Sequence, residues 1–545
     1  MFALLATSAI ALAAGQAHDQ HVHAPQLGHL AFESSCRPQA HGLLERGLGW
    51  LHSFEYREAE RTFNQAAAAD PACGIAYWGA AMSYYHPLWD APTRSDLEKG
   101  AAALAKAKQT GAGTARERDY IAALSSFYDG ADHLDHKVRV LAYNSAMDQL
   151  HRRYPNDREA AVFYALSLIA AGTLDSDPKF AREKEAGAIL NNVLASEPDH
   201  PGVAHYLIHS FDYPPLAQLA LPAARRYASI APDSAHAQHM PSHIFTRLGL
   251  WEESIKSNVA SEAAARAYAK AQGMPGSWDQ QLHAMDYLAY AYLQTGRDPE
   301  AQQVLNDLNT ITHADPPTRT VAYAVTAIPA RIVLEGRRWA EAASLELAPN
   351  LAALPALQNR DWAAAHVHFA RAVGAARSGN VTVARAEVAK LTQLERSTPV
   401  LPGEYDWRKQ VSIERQVAQG WLAMKEGREA DALIAMRAAA DLDDATEKNP
   451  VTPGPILPAR EQLGELLLEL NRPADALKEY RTSLERAPRR LGGVYGAARA
   501  AQLAGRQEDA RRYYAEIVDM TKQGDTALAE VKEARAYLAQ VAQSH

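Results

Sequence analysis

The sequence predicts an all-α protein, a solenoid of repeated helical hairpins, and three observations predict it. Small and aromatic residues recur at fixed offsets along most of the chain. Glycines recur where the first helix of each hairpin should end. The composition is rich in alanine, and only 8% of the 545 residues are aromatic. Such a bias suits close-packed helices better than sheets. With 47% hydrophobic and 22% charged residues the chain is globular, and it is too long for one ordinary core.

Four units carry the frame most clearly. Counting from Ala40, Gly47, Trp50, Ala59, Phe63, Ala66 and Pro71 fall at positions 8, 11, 20, 24, 27 and 32. From Leu457 the same frame holds Gly464, Leu467, Ala476, Tyr480, Ser483 and Pro488. From Leu491 it holds Ala498, Gly505, Ala510 and Tyr514, and a unit near Ile413 has Gly420, Gly427 and Ala432. At positions 8, 20 and 27 the two helices approach most closely, so only small side chains fit. The aromatics fill the space between hairpins. Glycine near position 15 ends the first helix, since a left-handed residue there carries no Cβ penalty. Proline at position 32 stops the second helix.

This pattern resembles the tetratricopeptide repeat (TPR). The resemblance implies a right-handed superhelical solenoid whose first helices line a concave groove, with positions 2, 5 and 9 pointing into it. Weaker units start near Gly74, Arg158, Pro201, Ala235, Leu282, Ala322 and Ala365, with Gly172, Gly249, Gly296, Gly336 and Gly379 at position 15. The expected organisation is a signal peptide over 1–17, a His-rich segment over 18–39, N-terminal units over 40–90, an inserted helical pair over 91–157 and a central array over 158–448. A Pro-rich linker over 449–458 then leads to a C-terminal pair of units and a capping helix over 459–545.

The apolar run from Phe2 to Ala14 is too short to span a bilayer and fits a leader, although no Lys or Arg precedes it. No other stretch is long and apolar enough to be a span. A periplasmic or secreted location is expected. In a reducing compartment Cys36 and Cys73 would be free thiols; in an oxidising one they can pair. They fall near the two ends of one hairpin, and the leader favours a disulfide worth roughly 3 kcal/mol. The net charge of −8, without a basic run or stripe, gives no reason to expect nucleic acid.

Histidines cluster in three successive units. His205 and His209 fall at positions 5 and 9 of one, and His236, His239 and His243 at positions 2, 5 and 9 of the next. His283 and Asp286 take positions 2 and 5 of the third. Residues four apart share a helix face, so His205, His209, His239 and His243 are expected on one wall. Pro241 could turn His243 off that line. A smaller set, His52 and His86, falls at position 13 of successive units, where packing with Trp50, Trp78 and Trp89 is the expected role. His18, His21, His23 and His29 read as a free tail able to bind metal weakly.

The chain also shares wording with a group of exported bacterial TPR proteins: Ser35-Cys36, LHSF (51–54), Asp70-Pro71, Cys73, YWG (77–79), HPLW (86–89) and HMPSHIFTRLG (239–249). That resemblance implies membership and no particular reaction.

Four roles stay open for the histidine wall. It can hold general acid/base histidines around an acidic or neutral small substrate. It can be the floor of a groove that binds a peptide, a protein partner or a small ligand. It can hold a transition metal such as Zn, Cu, Ni or Fe, in a metal-binding protein or a metal-dependent enzyme. Or the histidines can be filler, bonded to one another, Asp212, Asp286 and nearby tyrosines. No His-Glu-x-x-His helix, phosphate-binding loop or GxSxG elbow is present. Whether a reaction is catalysed is therefore left open.

Overall fold

A computed structural model describes residues 25–88, 91–111, 113–175, 177–401 and 404–543. The leader and His18, His21 and His23 lie outside the described residues, as does Trp89. Within them the chain is an all-α array of antiparallel hairpins, with one two-residue parallel bridge between Ser277–Trp278 and Ala314–Asp315.

The first hairpin pairs Pro38–His52 with Tyr56–Ala69. Its packing explains the small residue at position 8. A Cβ on Gly47 would lie 2.7 Å from the Phe63 ring, and one on Gly79, in the next unit, 2.4 Å from it. Phe63 fills the space between hairpins because both glycines make room. Tyr480 does the same between Gly464 and Gly496.

The turn glycines follow the frame in part. Gly249 has a φ of +66°, and a Cβ there would also come within 2.5 Å of the Pro488 carbonyl. Gly172, however, lies inside the helix Arg158–Thr173. At the turn near position 336 the left-handed residue is Arg337, with φ 53°, rather than Gly336.

Within residues 91–157, Arg94–Thr110 packs back on Gly74–Met82, and Ala115–Tyr128 pairs with His136–Arg153. Residues 449–458, expected as a linker, form a strap with Asn449 and 451–454 all buried. The strap lies against first helices of the array. Tyr287 Oη donates to Thr452 O at 3.0 Å, Tyr323 Oη to Gly454 O at 3.1 Å and Arg331 Nη2 to Gly454 O at 2.7 Å.

The array curls until distant units touch. Trp251 Nε1 donates to Arg489 O at 2.7 Å, and Asp525 N to Gly296 O at 2.8 Å. Arg490, buried, bonds Glu461, Glu335 and Tyr290. At the other end the helix Pro38–His52 packs on Pro201–Phe211. The segment before it is docked rather than free: Leu27, Leu30 and Phe32 are buried, and His29 N donates to Asp199 O at 3.0 Å. Ala529–Gln543 caps the last hairpin, with Glu533 accepting from Tyr495 and Tyr514. The apolar core forms two large bodies, from Leu27 to Phe245 and from Trp251 to Ala534, and a small third one of Ala235, Ala265, Ala269 and Trp278. Among the described residues no helix is long and apolar enough to cross a membrane.

Cys36 and Cys73 are joined by a disulfide, 37 residues apart in sequence, that ties the docked segment to the end of the first hairpin. Replacing both, Cys36→Ser with Cys73→Ser, is expected to lower the opening free energy of that hairpin by about 4 kcal/mol on loop entropy. Hydrogen exchange over Pro38–Ala69 reads it; unchanged protection would show that packing alone holds the segment.

Candidate metal centre

The helix Pro201–Phe211 opens on His200, whose Nδ1 accepts from Val203 N at 3.3 Å, and on a proline at its first position. Every residue of the helix is buried, including His205 and His209. In the next unit Ser234 caps Ala235–His239 by accepting from Ala237 N at 3.1 Å. Pro241 then begins a second segment, Pro241–Arg247. It does not turn His243 away, because the junction residue Met240 keeps helical angles, φ −53° and ψ −35°. The third unit places His283 on Asp279–Gln294.

These elements bring six histidines into two triads: His205, His209 and His236 in one, His239, His243 and His283 in the other. In each, one nitrogen from every ring lies within 4.8 Å of the other two. His209 and His243, from the four-imidazole wall expected from the sequence, have ring centroids 6.3 Å apart, and the wall's donors group as two triads. Each triad takes a His-x-x-x-His pair from one first helix and the position-2 histidine of the next unit. One rule applied in consecutive repeats makes two like sites.

None of the six is more than 7% exposed. Phe54, at the end of the first hairpin, packs its ring 4.4 Å from His205 and 5.6 Å from His209. Tyr287, held by the strap, stacks on His243 with centroids 5.2 Å apart. Burial holds His205, His209, His239 and His283 well below the ordinary histidine range and pushes His236 down to about 3. His243 is also lowered by burial, against the pull of Asp212. Neutral imidazole is the form that binds metal.

Hydrogen bonds fix the tautomers in the second triad. His239 Nδ1 lies 2.6 Å from Asn258 Oδ1, and Asn258 Nδ2 donates to Ser254 O at 2.8 Å, which sets the amide. His239 therefore donates from Nδ1. His243 Nδ1 donates to Asp212 Oδ2 at 2.9 Å, while Arg247 Nε donates to Asp212 Oδ1 at 2.8 Å. Both Nε2 atoms are left with lone pairs, and they face each other at 3.0 Å. No pair of neutral tautomers with these partners satisfies that contact; a cation does. A bridging proton would serve two nitrogens, but three converge, and His283 Nδ1 is buried without a hydrogen-bond partner. Carboxylate or amide oxygens behind the rings are what orients metal-bound histidines.

The first triad is less constrained. His205 Nδ1 donates to His52 O at 2.6 Å, so its Nε2 is a lone pair. His209 Nε2 lies 3.0 Å away and His236 completes the group. Here a hydrogen bond from His209 would suffice for the pair, and the donor set would equally hold a metal.

A third triad, His52, Glu159 and His200, is internally satisfied. Glu159 accepts from both Nε2 atoms at 2.9 Å, and His52 Nδ1 meets Tyr206 Oη at 3.0 Å. The carboxylate stands where an ion would. His52 and His86 do not meet as a set: His86 lies over Tyr56, with ring centroids 4.5 Å apart.

Asp286 lies in neither histidine triad. Its carboxylate pairs with buried Arg331, which also donates to Tyr323 Oη and Gly454 O. Asn258, Phe54 and Lys448 belong to the site without a sequence signal. They come from a second helix, a distant hairpin and the residue before the strap. Asp212 and Tyr287 are adjacent to the motifs, three residues after His209 and one turn after His283 on the same helix.

A cavity of about 560 Å³ reaches the cluster. His209 and Asp212 stand in its wall with His86, His136, Arg247 and Lys448. Burial pushes Lys448 down to about 8.

No protein-family model and no curated protein matches the chain. Solved helical-repeat structures are similar to it at low identity. A human IFIT1 dimer with m7Gppp-AAAA is 12% identical with a TM-score of 0.35, over 86% of this chain and 94% of that one. Yeast Tom70 is 11% identical with a TM-score of 0.31, over 92% and 96%. The APC/C hetero-tetramer Cut9-Hcn1 is 12% identical with a TM-score of 0.35, over 92% and 77%. Nothing about the site of this chain follows from them.

Removing one partner of a buried ion pair strands the other. Arg331→Met is expected to destabilise the chain by about 3–5 kcal/mol, and Asp286→Leu added to it should recover most of the loss. Denaturant melts compare the two variants; a double variant no more stable than the single would contradict the pairing.

Proposed function

We propose that the chain is an exported metal-binding protein that uses a TPR-like scaffold to build two three-imidazole sites at its centre. One observation carries the reading: His239 Nε2 and His243 Nε2 face each other as lone pairs, with His283 converging on them. A metal ion about 2.05 Å from both nitrogens, an ordinary imidazole bond length, would see them roughly 94° apart. His205, His209 and His236 offer a second set of the same composition. All-nitrogen donors suit Zn, Cu, Ni or Fe rather than Mg or Ca.

The groove reading is less favoured at this address. A peptide floor needs exposure, and here the first hairpin and the strap cover it. Helical arrays commonly dock proteins, and the outer surface remains the place for a protein partner. The disulfide supports export, since such bonds persist in oxidising compartments.

Metal analysis of purified protein after dialysis against a weak chelator tests the proposal. Bound transition metal is expected in the native chain, with His239→Ala and His243→Ala together removing the share held by the second triad. Asp212→Ala should weaken that share roughly 10- to 100-fold. A folded double variant with unchanged metal content would sink the site.

A further inference from the structure

We infer that the two triads act as one dinuclear copper centre, whose ions share a single bridging oxygen ligand such as hydroxide. The inference rests on the metal-binding reading and deepens it. The triads are neighbours: the ring centroids of His209 and His243 are 6.3 Å apart, as are those of His236 and His239. His205 and His236 are 5.0 Å apart, and so are His239 and His243, so the spacing between triads is little more than the spacing within them.

Three nitrogens leave each ion a coordination position to fill. Neither triad contains a carboxylate or thiolate, and Asp212 is committed to Arg247, Lys448 and His243. Two cations this close, held only by neutral donors, need a shared anion between them. The cavity supplies its route, since His209 of one triad and Asp212 behind the other stand in the same wall. The choice of copper follows from the donors. Affinity at nitrogen sites peaks at copper.

The repeat explains why the sites come as a pair. A solenoid that places histidine at positions 5 and 9 of one unit and position 2 of the next makes a site between the units. Doing so in consecutive units sets the second site one repeat step from the first.

The test is copper stoichiometry and electron paramagnetic resonance on the full chain, produced with copper and dialysed in air. Two ions per chain with almost no resonance are expected, because a shared oxygen couples the two unpaired spins. His283→Ala and His236→Ala, each removing a ligand from one triad, should each leave one ion per chain with its full resonance. Circular dichroism checks their folding, and the native chain decides the matter if either fails to fold. Two ions that both give full signals, or one ion in the native chain, would overturn the pairing while leaving the metal-binding reading intact. No retained copper or other transition metal would overturn both.

Discussion

A helical repeat that curls on itself leaves little solvent for the polar groups on its inner face. That constraint governs the centre of this protein. The first hairpin covers the inner face on one side with Phe54, and the strap covers it on the other through Thr452 and Gly454. Every buried polar side chain there must find a partner within the protein, or the fold loses the cost of desolvating it. Arg331 meets Asp286 and a strap carbonyl; Arg490 meets Glu461, Glu335 and Tyr290; Glu159 meets two histidines. The second histidine triad is one place where protein partners run out, with His283 Nδ1 buried and unpaired. Its outward nitrogens are satisfied by Asn258 and Asp212, and its inward nitrogens face one another.

The same curl links the two halves of the molecule. The two large bodies of the apolar core lie before and after residue 250. The six histidines lie on helices contributing to both, and the strap reaches them from far along the chain. A metal bound there would join the position-2 histidines to the His-x-x-x-His pairs of the preceding units. It would thus cross-link successive hairpins where the core is discontinuous. Binding energy would then appear as stability of the folded array.

Much of this was legible in the residues. Gly47, Phe63, Gly464 and Tyr480 announce the hairpin by their spacing, because close helix approach admits little else. Positions 2, 5 and 9 placed all six histidines on first helices, since repeat geometry is local. What could not be read was which histidines converge, because that depends on the rotation from one hairpin to the next. The frame expected His205, His209, His239 and His243 on one wall, and the superhelix adds to each His-x-x-x-His pair the position-2 histidine of the following unit. Asp286 shared the favoured register but was claimed by Arg331, 45 residues away. Asn258 and the strap were hidden for the same reason, as their partners lie in other units.

The most direct measurement is anomalous X-ray scattering from crystals of the copper-loaded chain, collected across the copper edge. The account places one peak inside each triad, bonded to His205, His209 and His236 and to His239, His243 and His283, about 2 Å from each ligand nitrogen. Peaks confined to the surface, or ordered histidine triads without anomalous density, would contradict it.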